Sequence, residues 1–415
     1  MTAPADDLAR MVRHEGGKVL ATLVRLTGDM TLAEDAVQDA MVAALQRWPR
    51  DGVPANPAAW LTTTARNRAL DMIRREAQRT RKETDAALLD EVTNRLAEPH
   101  SASVVRDDQL RLIFTCCHPA LAPEARVALT LRTLCGLRTL EIARLFLVED
   151  ATMGQRISRA KKKIATARIP YRIPADHELP ERLPAVLATV YAVVTAGHHA
   201  PEGPLDSRGE LAEEGIRLAR LLCDLMPDEP ECAGLLALAL ATYARRDVRV
   251  DAAGDLVLLA AQDRTQWHHD EIAEADAVVQ GALRGRRPGP YQLQAAIACV
   301  HGLAPTMADT DWQQIADLYG HLERMAPTPV VRVNRAVAVA EADGPVAALS
   351  LLDELGPRAE EWHLYWSTRA ELLLRLGRPA EAAGAFGRAL ACTPNDSDRR
   401  FLERRRAEVR AQFAP

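Results

Sequence analysis

The chain has 415 residues, 48% hydrophobic, 26% charged and 4% aromatic, with a formal net charge of −5. At about 150 residues per domain this gives two or three domains, and the Ala- and Leu-rich, rarely alternating pattern predicts an all-α fold and excludes a β-sandwich or barrel. Apolar stretches near 185–196 and 235–242 are shorter than the ~20 residues that span a bilayer, and the N-terminus lacks a signal pattern. Seven cysteines without framework spacing suit a reducing cytoplasm, so a disulfide scaffold and a membrane partner are not expected.

The charge is uneven. Residues 1–174 hold 27 Lys+Arg against 21 Asp+Glu, whereas 175–415 hold 25 against 36. Segments 66–82 and 156–172 each carry seven basic residues, and the spacer 84–108 carries six acidic and two basic ones. Two basic segments around an acidic spacer suit two contact points on one polyanion. Either segment alone is also what a solvated helix face looks like.

In chain order, Leu8, Met11, Val12, Val19, Leu20 and Leu23 recur at helical spacing until Gly28-Asp29. Thr31 to Glu34 reads as a capping box opening a helix that runs to about Trp48. Val37, Met41, Ala44, Leu45 and Trp48 form its apolar stripe, and Glu34, Asp35, Gln38 and Asp39 form a solvated acidic face. After loop 49–56, Asn56-Pro57 starts the next helix. Leu61, Ala65, Ala69, Met72 and Ile73 form its core stripe. A second stripe holds Trp60, Thr63, Thr64, Asn67 and Arg68 and continues into Arg74 and Arg75. An aromatic ring beside hydroxyls, an amide and arginines suits an unpaired nucleic-acid strand, with stacking on the ring and phosphates on the arginines. The same pattern is compatible with Trp60 packing under loop 49–56.

Further along, Pro123-Glu124 opens a helix with Val127, Leu131 and Leu134 inward, ending at Gly136. A short helix over 140–146, a turn over 147–150 and a long helix over 151–168 give the order of a helix-turn-helix. Met153, Ile157, Ala160 and Ile164 are its core row, so Gln155, Ser158, Arg159 and Lys162 project outward. Arg and Gln can bond guanine and adenine bidentately in the major groove. Arg156, Lys161 and Lys163 are placed to hold phosphates. The adjacent Cys116-Cys117-His118 lacks the spacing of a tetrahedral zinc site, so buried residues at a helix end are expected there. Paired histidines at 198–199 and 268–269 point roughly 100° apart on a helix and are not expected to chelate one ion. No metal, cofactor or catalytic constellation is called for.

The stretch Ala33-Glu34-Asp35-Ala36-Val37-Gln38-Asp39-Ala40, with 60–71, resembles region 2 of a sigma-70 family factor. Leu140-Glu141-Ile142-Ala143, with 152–161, resembles its region 4. The two regions joined by a short acidic linker resemble the extracytoplasmic-function group. This implies a non-catalytic transcription-initiation subunit whose partners are bacterial RNA polymerase core and promoter DNA. The resemblance places Asp35, Gln38 and Asp39 on the polymerase. It places Trp60, Thr63, Thr64, Asn67, Arg68, Arg74 and Arg75 on the unpaired −10 strand. It places Gln155, Arg156, Ser158, Arg159 and Lys162 on the −35 duplex. The implied division is 1–82 for region 2, 83–108 for the linker, 109–174 for region 4 and 180–412 for a C-terminal helical extension.

That extension has a period. Ala336, Pro345, Ala348, Leu352 and Leu355 recur 34 residues later as Ala370, Pro379, Ala382, Phe386 and Ala389. This spacing fits a tetratricopeptide-like repeat, clearest over 330–395, with looser copies over 311–327 and 210–227. The whole resembles the sigma-factor subgroup with such an extension. Where that subgroup reads Asn-Glu-Gly-Tyr, this chain reads Thr195-Ala196-Gly197-His198. Its acidic glycine motif appears as 251–255, with Asp251, Gly254 and Asp255 as candidate regulatory residues, and 256–267 keeps the subgroup pattern. The extension is expected to regulate or support activity in cis, or to take a protein partner in its groove. A stand-alone helix-turn-helix regulator with a repeat-type sensor is the alternative.

Overall fold

The computed structural model describes residues 5–80, 102–146, 148–199, 205–249, 251, 257–356, 360–393 and 396–412. Among them there are α-helices and short 3₁₀ turns but no strand. The chain divides into two compact units, residues 1–214 and 215–415.

In the first unit, α1 (Ala5–Thr27), α2 (Met30–Asp51) and α3 (Pro57–Thr80) pack on one another. The capping box expected at Thr31 is replaced by a cap two residues earlier. Asp29 takes the cap, and its carboxylate accepts from the N–H groups of Thr31 and Leu32. Glu34 is thereby freed for another role. The second helix also runs past Trp48 to Asp51 with Pro49 inside it. Asn56 caps α3 as expected, accepting from the Ala59 N–H at 3.0 Å.

The next helices are α4 (Ala102–Cys116), α5 (Pro123–Thr133), α6 (Thr139–Leu145), α7 (Asp150–Thr166) and α8 (Leu179–His199). The last seven residues of the acidic spacer, 102–108, lie in α4; 84–101 fall outside the described residues. After α5, Gly136 takes the left-handed backbone (φ 68°) and the Leu137 N–H returns to the Leu131 carbonyl, closing the helix. α5, α6 and α7 pack together, and α1 packs on α4. Gly17 brings α1 against the backbone of Leu134, where a Cβ would lie 2.8 Å from the carbonyl oxygen. α8 buries Val186, Val190 and Val193, and Arg182 donates to the Phe114 carbonyl. The first helix of the extension is therefore part of the first unit's core.

α9 (Leu205–Leu225) crosses the boundary between the units. The second unit continues with α10 (Pro230–Tyr243), α11 (His269–Leu283), α12 (Pro290–Leu303) and α13 (Trp312–Met325). α14 (Pro329–Ala342), α15 (Pro345–Asp353), α16 (His363–Arg375), α17 (Pro379–Cys392) and α18 (Asp396–Gln412) complete it. The 34-residue period becomes two packed helix pairs, α14–α15 and α16–α17. Ala336 and Ala370, Ala348 and Ala382, and Leu352 and Phe386 are all fully buried in one cluster. Small side chains at these positions let the paired helices approach closely.

Candidate nucleic-acid interface

On α7 the core row is as the spacing requires: Met153, Ile157 and Ala160 are buried, and Ile164 is half-buried. Gln155, Ser158, Arg159 and Lys162 form an exposed row on the opposite side. Arg156 is half-buried because its guanidinium lies over the Phe146 ring, 5.7 Å from the centroid. A shallow cleft of about 340 Å³ runs beside this row, lined by Ala122, Thr152, Gln155, Arg156 and Arg159 among others. Its floor is apolar and its rim cationic, which fits the sugar-phosphate edge of a duplex better than a metal or a small neutral molecule.

The α3 face is also assembled. Thr63, Asn67, Arg68, Arg74 and Arg75 are exposed, and Thr64 is half-buried. Trp60 is half-buried and meets the buried Trp48 edge-on, with centroids 5.4 Å apart and planes at 68°. The sequence left open whether this ring packs or faces a ligand; here one edge packs on Trp48 and the ring is not fully covered. Thr63 donates its hydroxyl proton to the Ala59 carbonyl, leaving an oxygen able to accept.

On α2, Asp35, Gln38 and Asp39 are exposed. Glu34, expected on the same solvated face, is instead 7% exposed. Its carboxylate accepts from Lys161 Nζ of α7 at 2.5 Å and has Arg132 of α5 at 3.9 Å. Lys161, expected to hold phosphate, is engaged inside the protein. Asp108 makes a parallel link: it is fully buried, and Arg25 of α1 (2.9 Å) and Arg111 of α4 (2.6 Å) bracket it. Tyr171 donates its hydroxyl proton to the Ala21 carbonyl at 2.6 Å. Burial, and then the Asp108 charge, push that phenol well above its ordinary range.

The pattern held a hint that Glu34 and Lys161 are not simply solvated, though not of which partners they meet. Glu34 falls on the row of Val37 and Met41, and Lys161 falls beside the row of Ile157 and Ile164. Both therefore stand at the edge of a core stripe rather than opposite it. Cys116 and Cys117 are buried at the end of α4, facing the hydroxyls of Thr133 and Thr130, and His118 Nδ1 accepts from the Ala120 N–H. Burial raises both thiols. In the second unit, Asp251 is exposed, and Gly254 and Asp255 lie outside the described residues. His268 donates from Nε2 to Asp247 and accepts from Arg246 at Nδ1, so it is a hydrogen-bonding hinge of its loop.

An exposed polar and cationic row on the second helix of a helix-turn-helix, with a second helical module bearing an aromatic-arginine face, defines a class of DNA-binding transcription proteins. Family models for sigma-70 region 2 and sigma-70 region 4 match residues 11–79 and 111–164, and a family of unknown function, DUF6596, matches 182–283. The chain belongs to the sigma-70 family, in its extracytoplasmic-function type with a tetratricopeptide-like helical extension. It is 44% identical over 387 residues to the uncharacterized protein R00370 of Rhizobium meliloti (strain 1021), covering 93% of this chain and 92% of that one. It is 33% identical over 211 residues to the ECF RNA polymerase sigma factor SigJ of Mycobacterium tuberculosis (strain ATCC 25618 / H37Rv), covering 49% of this chain and 65% of SigJ. Yeast Tom70 aligns with a TM-score of 0.36 at 13% identity over 95% of this chain and 81% of its own, too low a score to assign a fold. Among the described residues, no helix is long and apolar enough to cross a membrane.

Proposed function

We propose that this chain is an alternative sigma factor that brings bacterial RNA polymerase core to its promoters. Asp35, Gln38 and Asp39 dock on the polymerase. Trp60, Thr63, Thr64, Asn67, Arg68, Arg74 and Arg75 hold the unpaired −10 strand, and Gln155, Arg156, Ser158, Arg159 and Lys162 read and grip the −35 duplex. The chain acts in the cytoplasm by binding, without a reaction of its own, and its extension regulates or supports that binding in cis. The observation that carries the reading is the exposed row of α7, backed on the opposite side by the buried Met153, Ile157 and Ala160. A helix so anchored presents Gln155 and Arg159 in the fixed geometry that base readout requires.

The test is run-off transcription with bacterial core polymerase, using promoters from the chain's own upstream region. The full chain is compared with Trp60→Ala, Arg159→Ala and a chain ending at Pro204. The cut falls after α8 because that helix supplies core side chains to the first unit. Initiation by the full chain, lost in both point variants, is the expected result. Greater activity of the shortened chain makes the extension an inhibitor, and its inactivity makes the extension obligatory. Duplex binding without initiation in any form would favour the stand-alone regulator.

A further inference from the structure

The second unit contains a cationic cluster that the reading above does not use. Four basic side chains follow α10 within a short span, and two of them have clear work. Arg246 donates to Glu271 at 2.6 Å and to the Tyr243 carbonyl at 3.1 Å, and its guanidinium covers the Tyr243 ring. Arg264 is buried and donates to the carbonyls of His301 and Ala304, both at 2.8 Å, and to the Thr310 hydroxyl. It ties the loop before α11 to the end of α12.

Arg245 differs from both. It is half-buried, and its guanidinium stands 5.7 Å from the centre of the Trp267 ring, which Arg264 also faces at 4.9 Å. Among the described residues no carboxylate or carbonyl takes its N–H groups. The nearby acids are already engaged: Glu271 with Arg246, Asp247 with His268, and Asp263 with Thr265 and Gln266. Burial, and then the like charges of Arg249 and Arg264, push the Arg245 guanidinium down to about 10. Two polar atoms near it are buried without a partner, the Trp267 Nε1–H and His301 Nδ1. The His301 imidazole packs edge-on against Trp312 with centroids 5.0 Å apart.

Two of these groups call for an acceptor. An arginine fork and an indole N–H are donors, and the two guanidinium charges repel each other across one aromatic ring. The Trp267 N–H is a buried donor without an acceptor, which is costly, and the half-buried Arg245 fork beside it has no protein acceptor among the described residues. The species that would meet them is compact, negative and rich in acceptor oxygens, and an arginine fork matches the oxygen pair of a phosphate or carboxylate.

We propose that Arg245, with Trp267 and His301, forms a binding site in the helical extension for a small oxyanion carrying a phosphate or carboxylate group. Arg245 is the ligand-holding residue, and Arg264 adds charge while its own hydrogen bonds hold the walls in place. This assignment does not depend on the transcription reading, since its test measures binding alone.

The full chain is titrated with inorganic phosphate, and separately with acetate, against sodium chloride of equal ionic strength. Binding is followed by calorimetry and by tryptophan fluorescence. The expected result is saturable one-to-one binding, at least tenfold weaker in Arg245→Gln and partly restored in Arg245→Lys, with all three chains showing the same helical circular dichroism. Tighter binding of phosphate identifies a phosphorylated ligand, and tighter binding of acetate a carboxylate. If Arg245→Gln loses its helical signal, the comparison of Arg245→Lys with the native chain decides. The His301 resonance in ¹³C-histidine-labelled chain is a further readout: a bound anion raises its titration midpoint from the low value that burial, and then the two arginines, impose. No saturable binding of either anion, or equal binding by the native and variant chains, overturns the site.

Discussion

Buried charge is handled in opposite ways in the two units. In the first, each buried carboxylate sits between two cations: Asp108 between Arg25 and Arg111, and Glu34 between Lys161 and Arg132. Glu34 ties α2 to α5 and α7, and Asp108 ties α4 to α1 through Arg25, its other partner Arg111 lying one turn along the same helix. In the second unit the charges that act on Arg245 are those of Arg249 and Arg264, and the nearby acids serve other partners. Removing one partner of a buried pair strands the other, whereas removing a charge that has no partner relieves the fold. The comparison teaches that burial alone does not tell whether a charge is structural; the sign of its neighbours does.

The largest effect is expected from Asp108→Asn. It takes from Arg25 and Arg111, each about a quarter exposed, their shared buried acceptor, and a loss of about 3 kcal/mol, the low end for a broken buried pair, is expected in urea unfolding. A loss below about 1 kcal/mol would mean the bracket is not structural. His301 gives the next effect. Burial, and then the charges of Arg245 and Arg264, lower its folded value to about 4 against an ordinary 6.5. The unfolded chain therefore takes up a proton first as the pH falls. Stability is full above about 6.5 and declines toward about 4, by at most about 3 kcal/mol. Unfolding midpoints measured across that range in chloride buffer should show the slope, and His301→Phe should flatten it.

Arg159→Ala tests the exposed row against the engaged Lys161 beside it. A loss of about 1–3 kcal/mol in promoter duplex binding is expected, with relaxed preference at one base pair, in gel-shift or anisotropy titrations. Lys161→Ala should change DNA affinity far less than Lys162→Ala, because Lys161 already serves Glu34. The smallest effect is on stability at Arg245. In phosphate-free chloride, Arg245→Gln should leave the thermal midpoint unchanged or slightly higher, within about 1 kcal/mol. A clear loss there would show that the arginine is structural after all.

Much of the fold was legible because helices announce themselves by period. The rows Met153, Ile157, Ala160 and Leu61, Ala65, Ala69 are buried as the spacing demands, and the 34-residue repeat became helix pairs. Local caps were less legible. Asp29 and Thr31 are both good capping residues two positions apart, and only the path of the chain decides between them. Cross-module pairs were least legible. Asp108 belongs to an acidic run that reads as solvated, and nothing in a linear pattern says that Arg25 lies beside it. The candidate DNA faces needed only one helix each, whereas the Glu34 link needed three helices in register.

The Trp48–Trp60 contact has a practical consequence. Two indoles at 5.4 Å and 68° couple their electronic transitions, so their near-ultraviolet circular dichroism carries a signature of their mutual geometry. Trp48 is fixed in the core while Trp60 is not fully covered, so a base stacking on the outer ring would disturb the couplet from one side only. For the proposed strand capture the pair is an unlabelled optical gauge, and Trp48→Phe would silence it while leaving the Trp60 ring in place.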